Sequence, residues 1–374
     1  MAVVCWGGDL RGETGSGRLL STATARPLAS GDAEAVEASP STTCARREGV
    51  WACWGTRDPG EAPTPAGAPP EERPRVVEAP RRVAGLAVPY AEAALGAWHT
   101  CARGADGTVA CWGDNGRAQL GTAAAHPTRE PVPDLDDAVG LAAGASHTCA
   151  RVAGDHLRCW GANESGQLGD GSLQDRAAPR AVDLDGVTSL AAGERFTCAR
   201  TRDGAAWCWG GSERGALGVS SSRLLRAPTR IARLSDVAAV AAGADHACAL
   251  RDDGAVACWG DNRAGQLGDG TAASRDEPRA VPGLRDAREV RAGGDTTCAR
   301  LADETVRCWG RNDHGQVGDG SDVTRAAPTA VAGLRGARGT GRRARPAPPR
   351  ASLIAPQIRP TTAFQARSMV TICS

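Results

Sequence analysis

The stretch AAGADHACALRDDGAVACWGDNRAGQLGDGT, residues 241–271, is one copy of a pattern that runs through the whole chain. Its Cys-Trp-Gly tripeptide occurs seven times, beginning at Cys5, Cys53, Cys111, Cys159, Cys208, Cys258 and Cys308. The steps between copies are 48, 58, 48, 49, 50 and 50 residues, and a near-constant period of this size marks a repeat architecture. Inside the stretch, Asp252-Asp253-Gly254 separates two short alternating runs, the pattern of a hairpin whose Gly takes a positive φ. Beyond Trp-Gly comes N-x-x-G-Q-L-G-D-G, a polar turn, followed by Pro and V-x-x-L. No sustained 3.6-residue period intervenes, so helix is not expected. Short strands with turns at close spacing, in units near 50 residues, predict an all-β β-propeller of four-stranded blades.

Hairpin arithmetic sets the cysteines against each other. A three-residue loop at 252–254 pairs Leu250 with Val256 and Cys248 with Cys258. The same count opposes Cys101 to Cys111, Cys149 to Cys159, Cys198 to Cys208, and Cys298 to Cys308. Cys44 and Cys53 are nine apart instead of ten, and a two-residue Glu48-Gly49 loop restores the register. Loop length changes while the cysteines stay opposed, which predicts one cross-strand disulfide per blade, since facing Cβ atoms lie about 4.5–5.5 Å apart.

Composition follows from the repeat. Among 374 residues there are 14 Cys and 10 Trp but only 2 Phe and 1 Tyr. Trp6, Trp54, Trp112, Trp160, Trp209, Trp259 and Trp309 are read as the structural core of the blades, with only Trp51, Trp98 and Trp207 elsewhere. All 44 basic residues are Arg, so a P-loop, which needs Lys, is ruled out. A net charge of +1 gives no reason to expect nucleic acid as partner. No run of 18 apolar residues exists, so no membrane span is expected.

Units of this length carrying G-x-x-H-[TA]-C-A-L, D-G-x-V-x-C-W-G and N-x-x-G-Q-L-G resemble the regulator of chromosome condensation repeat family, over residues 3 to about 334. The resemblance implies a seven-bladed propeller, which is a scaffold for many activities. Its founding member is a guanine-nucleotide exchange factor for a small GTPase, acting through a protruding β-wedge and acidic face residues. No such wedge can be placed in this sequence.

The pattern breaks in three places. Residues 3–7 are the second half of a hairpin whose first strand is missing. A closing A-G-x-x-H-T-C-A strand is expected near residue 340, and that segment reads Gly339-Thr340-Gly341-Arg342-Arg343 instead. Residues 335–374 hold eight Arg and no acid, leaving 36 Arg against 43 acids in residues 1–334. The propeller is therefore assigned to 1–334, with an incomplete last blade, and 335–374 is read as an Arg/Pro-rich tail, disordered or out of frame. Cys5 and Cys373 stand outside the six pairs, and Cys373 is a poor substitute for the missing partner of Cys5. Finally, residues 58–80 form a Pro-rich insertion, read as a solvated loop.

Candidate chemistry is thin. His99, His147 and His246 share one repeat position, but the other units have Thr42, Phe196 and Thr296 there, and no C-x-x-C ligand pair occurs. They are read as structural, bonding to backbone between blades. Asp170, Asp269 and Asp319 lie in repeated Gly-Asp-Gly turns without calcium-loop spacing. No catalytic constellation, cofactor or metal site is expected. The expected function is a non-enzymatic, monomeric scaffold that binds a protein partner through loops on one propeller face, with nucleotide exchange as the alternative. Six disulfides require an oxidising compartment, yet residues 1–5 are no signal peptide. The expectation is an extracytoplasmic protein (periplasmic, cell-surface or secreted) whose leader lies outside this sequence, with a cytoplasmic location as the alternative.

Overall fold

A computed structural model describes residues 2–8, 14, 21–39, 42–55, 77–82, 90–123, 131–220, 223–334, 337–338 and 368–370. The chain is an all-β propeller whose only described helical piece is the single turn Ala153–Asp155. In the Trp259 sheet the strands Val237–Ala242, His246–Arg251, Val256–Gly260 and Arg275–Ala280 lie side by side in chain order, all antiparallel. The Trp160, Trp209, Trp309 and Trp54 sheets repeat this order. The Trp112 sheet has three strands, and its fourth place is marked by the bridge Ala110–Pro131.

The register follows from the hairpins. Leu250 faces Val256 and Cys248 faces Cys258, while Gly254 N–H donates to the Arg251 carbonyl at 2.9 Å. In the Trp54 sheet Arg47 faces Val50 across Glu48 (φ 50°) and Gly49 (φ 75°), a turn with both central residues at positive φ. Disulfides join Cys44–Cys53, Cys101–Cys111, Cys149–Cys159, Cys198–Cys208, Cys248–Cys258 and Cys298–Cys308, with Cα atoms 4.0–4.1 Å apart. Each of these bridges lies within one blade.

The outermost strand of a blade exposes one edge, and the sequence blunts it. Pro80, Pro179, Pro228, Pro278 and Pro328 each sit inside such a strand. A Pro there removes one donor from the open side of the sheet. This corrects the reading of residues 58–80 as all loop: Val77–Arg82 is the outer strand of the Trp54 sheet, with Cys53 facing Arg81. Proline marked a strand edge there, whereas residues 56–76 lie outside the described residues.

The Trp6 sheet is built differently. Its order is Thr22–Asp32, Ala2–Gly7, Ser368–Val370 and Ala337–Arg338, and the last two pairings are parallel. Two short segments beyond residue 334 thus lie in a propeller sheet, in the positions that first and second strands hold elsewhere. Cys5 was expected to lack a partner, but it is disulfide-bonded; the bonded cysteine lies outside the described residues, none of which is a free cysteine.

The core sits in the seams between blades. Trp259 packs on Phe196, Leu217 and Ile231 of the Trp209 blade. Trp309 packs on the Trp259 blade, Trp209 on the Trp160 blade, Trp160 on the Trp112 blade and Trp112 on the Trp54 blade. Trp6 packs on Val306, Val317 and Val331, so the first copy of the motif meets the last. A core so placed explains why small Ala, Val and Leu side chains suffice: the indoles fill the gaps.

Candidate functional site

Five of the seams are latched by the same groups. The Trp259 indole N–H donates to the Ala216 carbonyl of the preceding blade at 2.9 Å. Trp160, Trp209, Trp309 and Trp6 donate likewise to the carbonyls of Gln119, Gln167, Gln266 and Gln316, at 2.9–3.0 Å. The turn that presents this carbonyl requires Gly. Gly268 has φ +71°, and a Cβ there would lie 2.7 Å from Trp309 Nε1. Gly268→Ala is expected to cost about 3 kcal/mol in denaturant melts, combining backbone strain with the clash. Gly270→Ala is the control: its φ is +80° but its surroundings are open, so only the strain of about 1 kcal/mol remains.

The three histidines complete the latch. His99 Nε2 meets Thr148 Oγ1 of the next blade at 2.8 Å, His147 meets Thr197 at 2.9 Å, and His246 meets Thr297 at 2.7 Å. Each Thr hydroxyl in turn donates to the Gln carbonyl that also accepts the Trp. The sequence reading had these histidines bonding between blades. The seam is as expected, but the immediate partner is a hydroxyl, with the backbone one bond further on. Burial pushes His99 and His246 down to about 4 and His147 to about 3, so all are neutral at pH 7.

The Gly-Asp-Gly aspartates are consumed by their own turn. Asp170 Oδ1 accepts from Asn163 Nδ2, from the Ser172 N–H and from the Ser172 hydroxyl, while Oδ2 accepts from Arg176. Asp269 and Asp319 repeat the arrangement with Arg275 and Arg325. Burial raises the Asp269 carboxyl, but Thr271, Arg275 and Asn262 outweigh it and hold the group near 2. Among the described residues no cluster of three metal-ligating groups occurs.

Around the axis, the inner strands Ala35–Ala38, Tyr90–Leu95 and Ala287–Gly293 carry Glu37, Glu92, Glu289 and Arg291. Withdrawal from bulk water pushes Glu37 up to about 7; Arg291 opposes this, whereas Glu92 and Glu289 reinforce it. Glu92 and Glu289 are themselves held by Arg103 at 3.1 Å and Arg291 at 3.0 Å.

Both ends of the propeller are net acidic, the hairpin end more strongly. Antiparallel order puts the hairpin loops and the blade-to-blade linkers at one end. Residues 48–49, 105–108, 153–155, 202–205, 252–255 and 302–305, with linkers 133–137, 183–186, 232–236, 282–286 and 332–334, hold fifteen carboxylates and three arginines. Most of these carboxylates are exposed. Ion pairs occur at both ends. At the hairpin end Arg151 and Arg202 hold Asp155, Arg230 reaches Asp203 and Arg251 reaches Asp236. At the other end Arg117 bridges Glu164 and Asp175, Arg263 grips Asp261, and Arg311 reaches Asp295 and Asp313. Trp98, on a loop at that end, is 44% exposed. Sequence reasoning had no signal for the charge asymmetry until the ends were assigned.

Among the described residues no helix is long and apolar enough to cross a membrane. Residues 2–281 match the profile of the RCC1-like domain. Residues 288–316 and 303–341 match the regulator of chromosome condensation (RCC1) repeat. No curated protein matches the chain. Among solved structures, yeast RCC1 (Prp20), crystallised with Kap60 bound, is 21% identical, with a TM-score of 0.75 over 88% of this chain and 83% of that one. Human WBSCR16 is 19% identical, with a TM-score of 0.76 over 88% of this chain and 93% of that one. Prp20p from Saccharomyces cerevisiae, described with its binding properties to Gsp1p and histones, is 22% identical, with a TM-score of 0.74 over 88% and 85%. At these identities the likeness speaks to fold alone. By the profile match across residues 2–281, the chain belongs to the RCC1-like domain family.

Proposed function

We propose that the chain is a non-enzymatic, seven-bladed propeller that binds a protein partner with a basic surface at its hairpin end. The observation that carries this reading is the excess of carboxylates there, fifteen against three arginines. Such a field attracts cationic partners and repels polyanions, so nucleic acid is not the expected ligand. Ring closure at seven blades is supported by the Trp6–Gln316 hydrogen bond, which joins the first and last units with the geometry of the other seams. The propeller unit is taken as residues 1–334 together with the two short strands beyond it. The six blade disulfides suit an oxidising, extracytoplasmic setting.

The test is capture from an extracytoplasmic extract with the wild-type chain and with a variant carrying Asp134→Asn, Asp136→Asn, Asp183→Asn and Asp185→Asn. Basic proteins retained by the wild type are expected to be lost or weakened about tenfold with the variant. An unchanged set on both baits contradicts the choice of end. Family membership supplies the second reading, nucleotide exchange on a small GTPase. That reading requires faster release of labelled GDP from a GTPase; the proposed scaffold leaves the release rate unchanged.

A further inference from the structure

Three histidine latches hold blades together, and no described disulfide does so. His99–Thr148 ties the Trp112 blade to the Trp160 blade, His147–Thr197 ties Trp160 to Trp209, and His246–Thr297 ties Trp259 to Trp309. The tautomer is fixed by the chain of donors. Each Thr hydroxyl gives its proton to a Gln carbonyl, so His Nε2 must carry the N–H and Nδ1 is bare. In all three rings Nδ1 is buried with no hydrogen-bond partner. It lies against Gly96, Gly144 or Gly243 so closely that a Cβ there would overlap the ring. A proton arriving at Nδ1 finds no hydrogen-bond partner in the closed seam.

The Trp209–Trp259 seam supplies an internal comparison. Phe196 takes the histidine position and Ala247 takes the threonine position. Both members of the polar pair are replaced together, by a pair that does not titrate.

We propose that acidification reversibly opens the latched seams, and that the Trp160 blade, latched on both faces, is released first. The blades themselves persist because their disulfides are internal. The charged neighbours are few. Asp114 and Asp261, each the residue after Trp-Gly in the same blade, act on His99 and His246 and partly offset burial; His147 has Ala162 there, and His99 lowers it further. The next blade contributes Gly144, Gly193 or Gly294 and the Thr, none of them titratable.

The sign follows from linkage. Folded values of about 4, 3 and 4 lie below the ordinary 6.5, so the open state binds protons that the closed state refuses. The closed seam is therefore fully favoured above pH 6.5 and weakens as pH falls toward 4. Each latch freed shifts opening by roughly 10²-fold between pH 7 and pH 4.5.

Six of the fifteen carboxylates at the hairpin end belong to the loops of the Trp160 blade: Asp134, Asp136, Asp137, Asp155, Asp183 and Asp185. Release of this blade would disassemble that surface, which would make partner binding acid-labile. This consequence rests on the proposed function, whereas the seam opening does not and is measured on the free protein.

The experiment is amide hydrogen exchange on the free chain at pH 7 and pH 4.5, corrected for intrinsic rates. Peptides across His147–Val152 are expected to gain roughly 10³–10⁴-fold in opening, and those of singly latched blades roughly 10²-fold. The pair His147→Phe with Thr197→Ala should remove about 10² of that gain. The reverse pair, Phe196→His with Ala247→Thr, should confer about 10² on the Trp209–Trp259 seam. Equal acid sensitivity in wild type and both pairs, or no opening at pH 4.5, overturns the proposal. Whatever the exchange result, the capture experiment at pH 7 judges the partner surface separately.

Discussion

Trp259→Ala is expected to cost about 3–5 kcal/mol in denaturant unfolding, among the largest effects of any single substitution in the chain. The side chain is fully buried, its indole N–H caps the Ala216 carbonyl at 2.9 Å, and its ring fills the seam against Phe196, Leu217 and Ile231. Truncation leaves a cavity between two stiff sheets that cannot close over it, and it strands a buried carbonyl. Two of the three Trp outside the repeat position set the scale. Trp98, 44% exposed, should tolerate Ala at a cost below about 1 kcal/mol. Trp207, whose N–H reaches only Thr201 Oγ1 at 3.1 Å in its own hairpin, should fall between. If Trp98→Ala and Trp259→Ala cost the same, the seams are not where the core lies.

Complete reduction is expected to have a still larger effect. Each bridge closes a loop of 9 or 10 residues and in the chain-entropy model contributes up to roughly 3 kcal/mol. Removing six of them takes away up to roughly 18 kcal/mol, as much as the 5–15 kcal/mol by which a typical protein is stable. The reduced chain should therefore be unfolded at 25 °C by circular dichroism and by loss of the buried-Trp fluorescence. A single replacement, Cys248→Ala with Cys258→Ala, should lower the melting midpoint while leaving the neighbouring blades protected from exchange. A fully reduced chain that keeps its native spectrum would show that the seams alone suffice.

Much of this was legible in the sequence because a repeat prints the same local physics many times. The DDG and EG loops differ by one residue, yet Cys44 and Cys248 reach the same register, so opposed cysteines could be read by counting. The Trp seams followed from one Trp per unit in a core otherwise made of Ala, Val and Leu. Contacts exactly one period away were harder. His147 meets Thr197 50 residues on, and nothing local in either strand announces it. The readable signal was the joint change to Phe196 and Ala247, visible only once the units are aligned on one another. Val77–Arg82 was missed because its Pro lies in a Pro-rich run and resembles loop, although the outer strands of other blades carry Pro at the same place. The parallel strand Ser368–Val370 has no repeat pattern at all, so no period could have found it. Charge at the hairpin end is spread over eleven short loops and becomes a surface only when the blades are stacked.

The central claim is that each blade is covalently stapled within itself and the seams are held by non-covalent latches. Counting free thiols in chain isolated natively and then denatured without reductant tests it most directly. Of 14 cysteines, at most two should react, and proteolytic mapping should return the pairs Cys44–Cys53 through Cys298–Cys308 and no pair that crosses between them. Twelve or more reactive thiols would contradict the stapled blades and, with them, the extracytoplasmic setting.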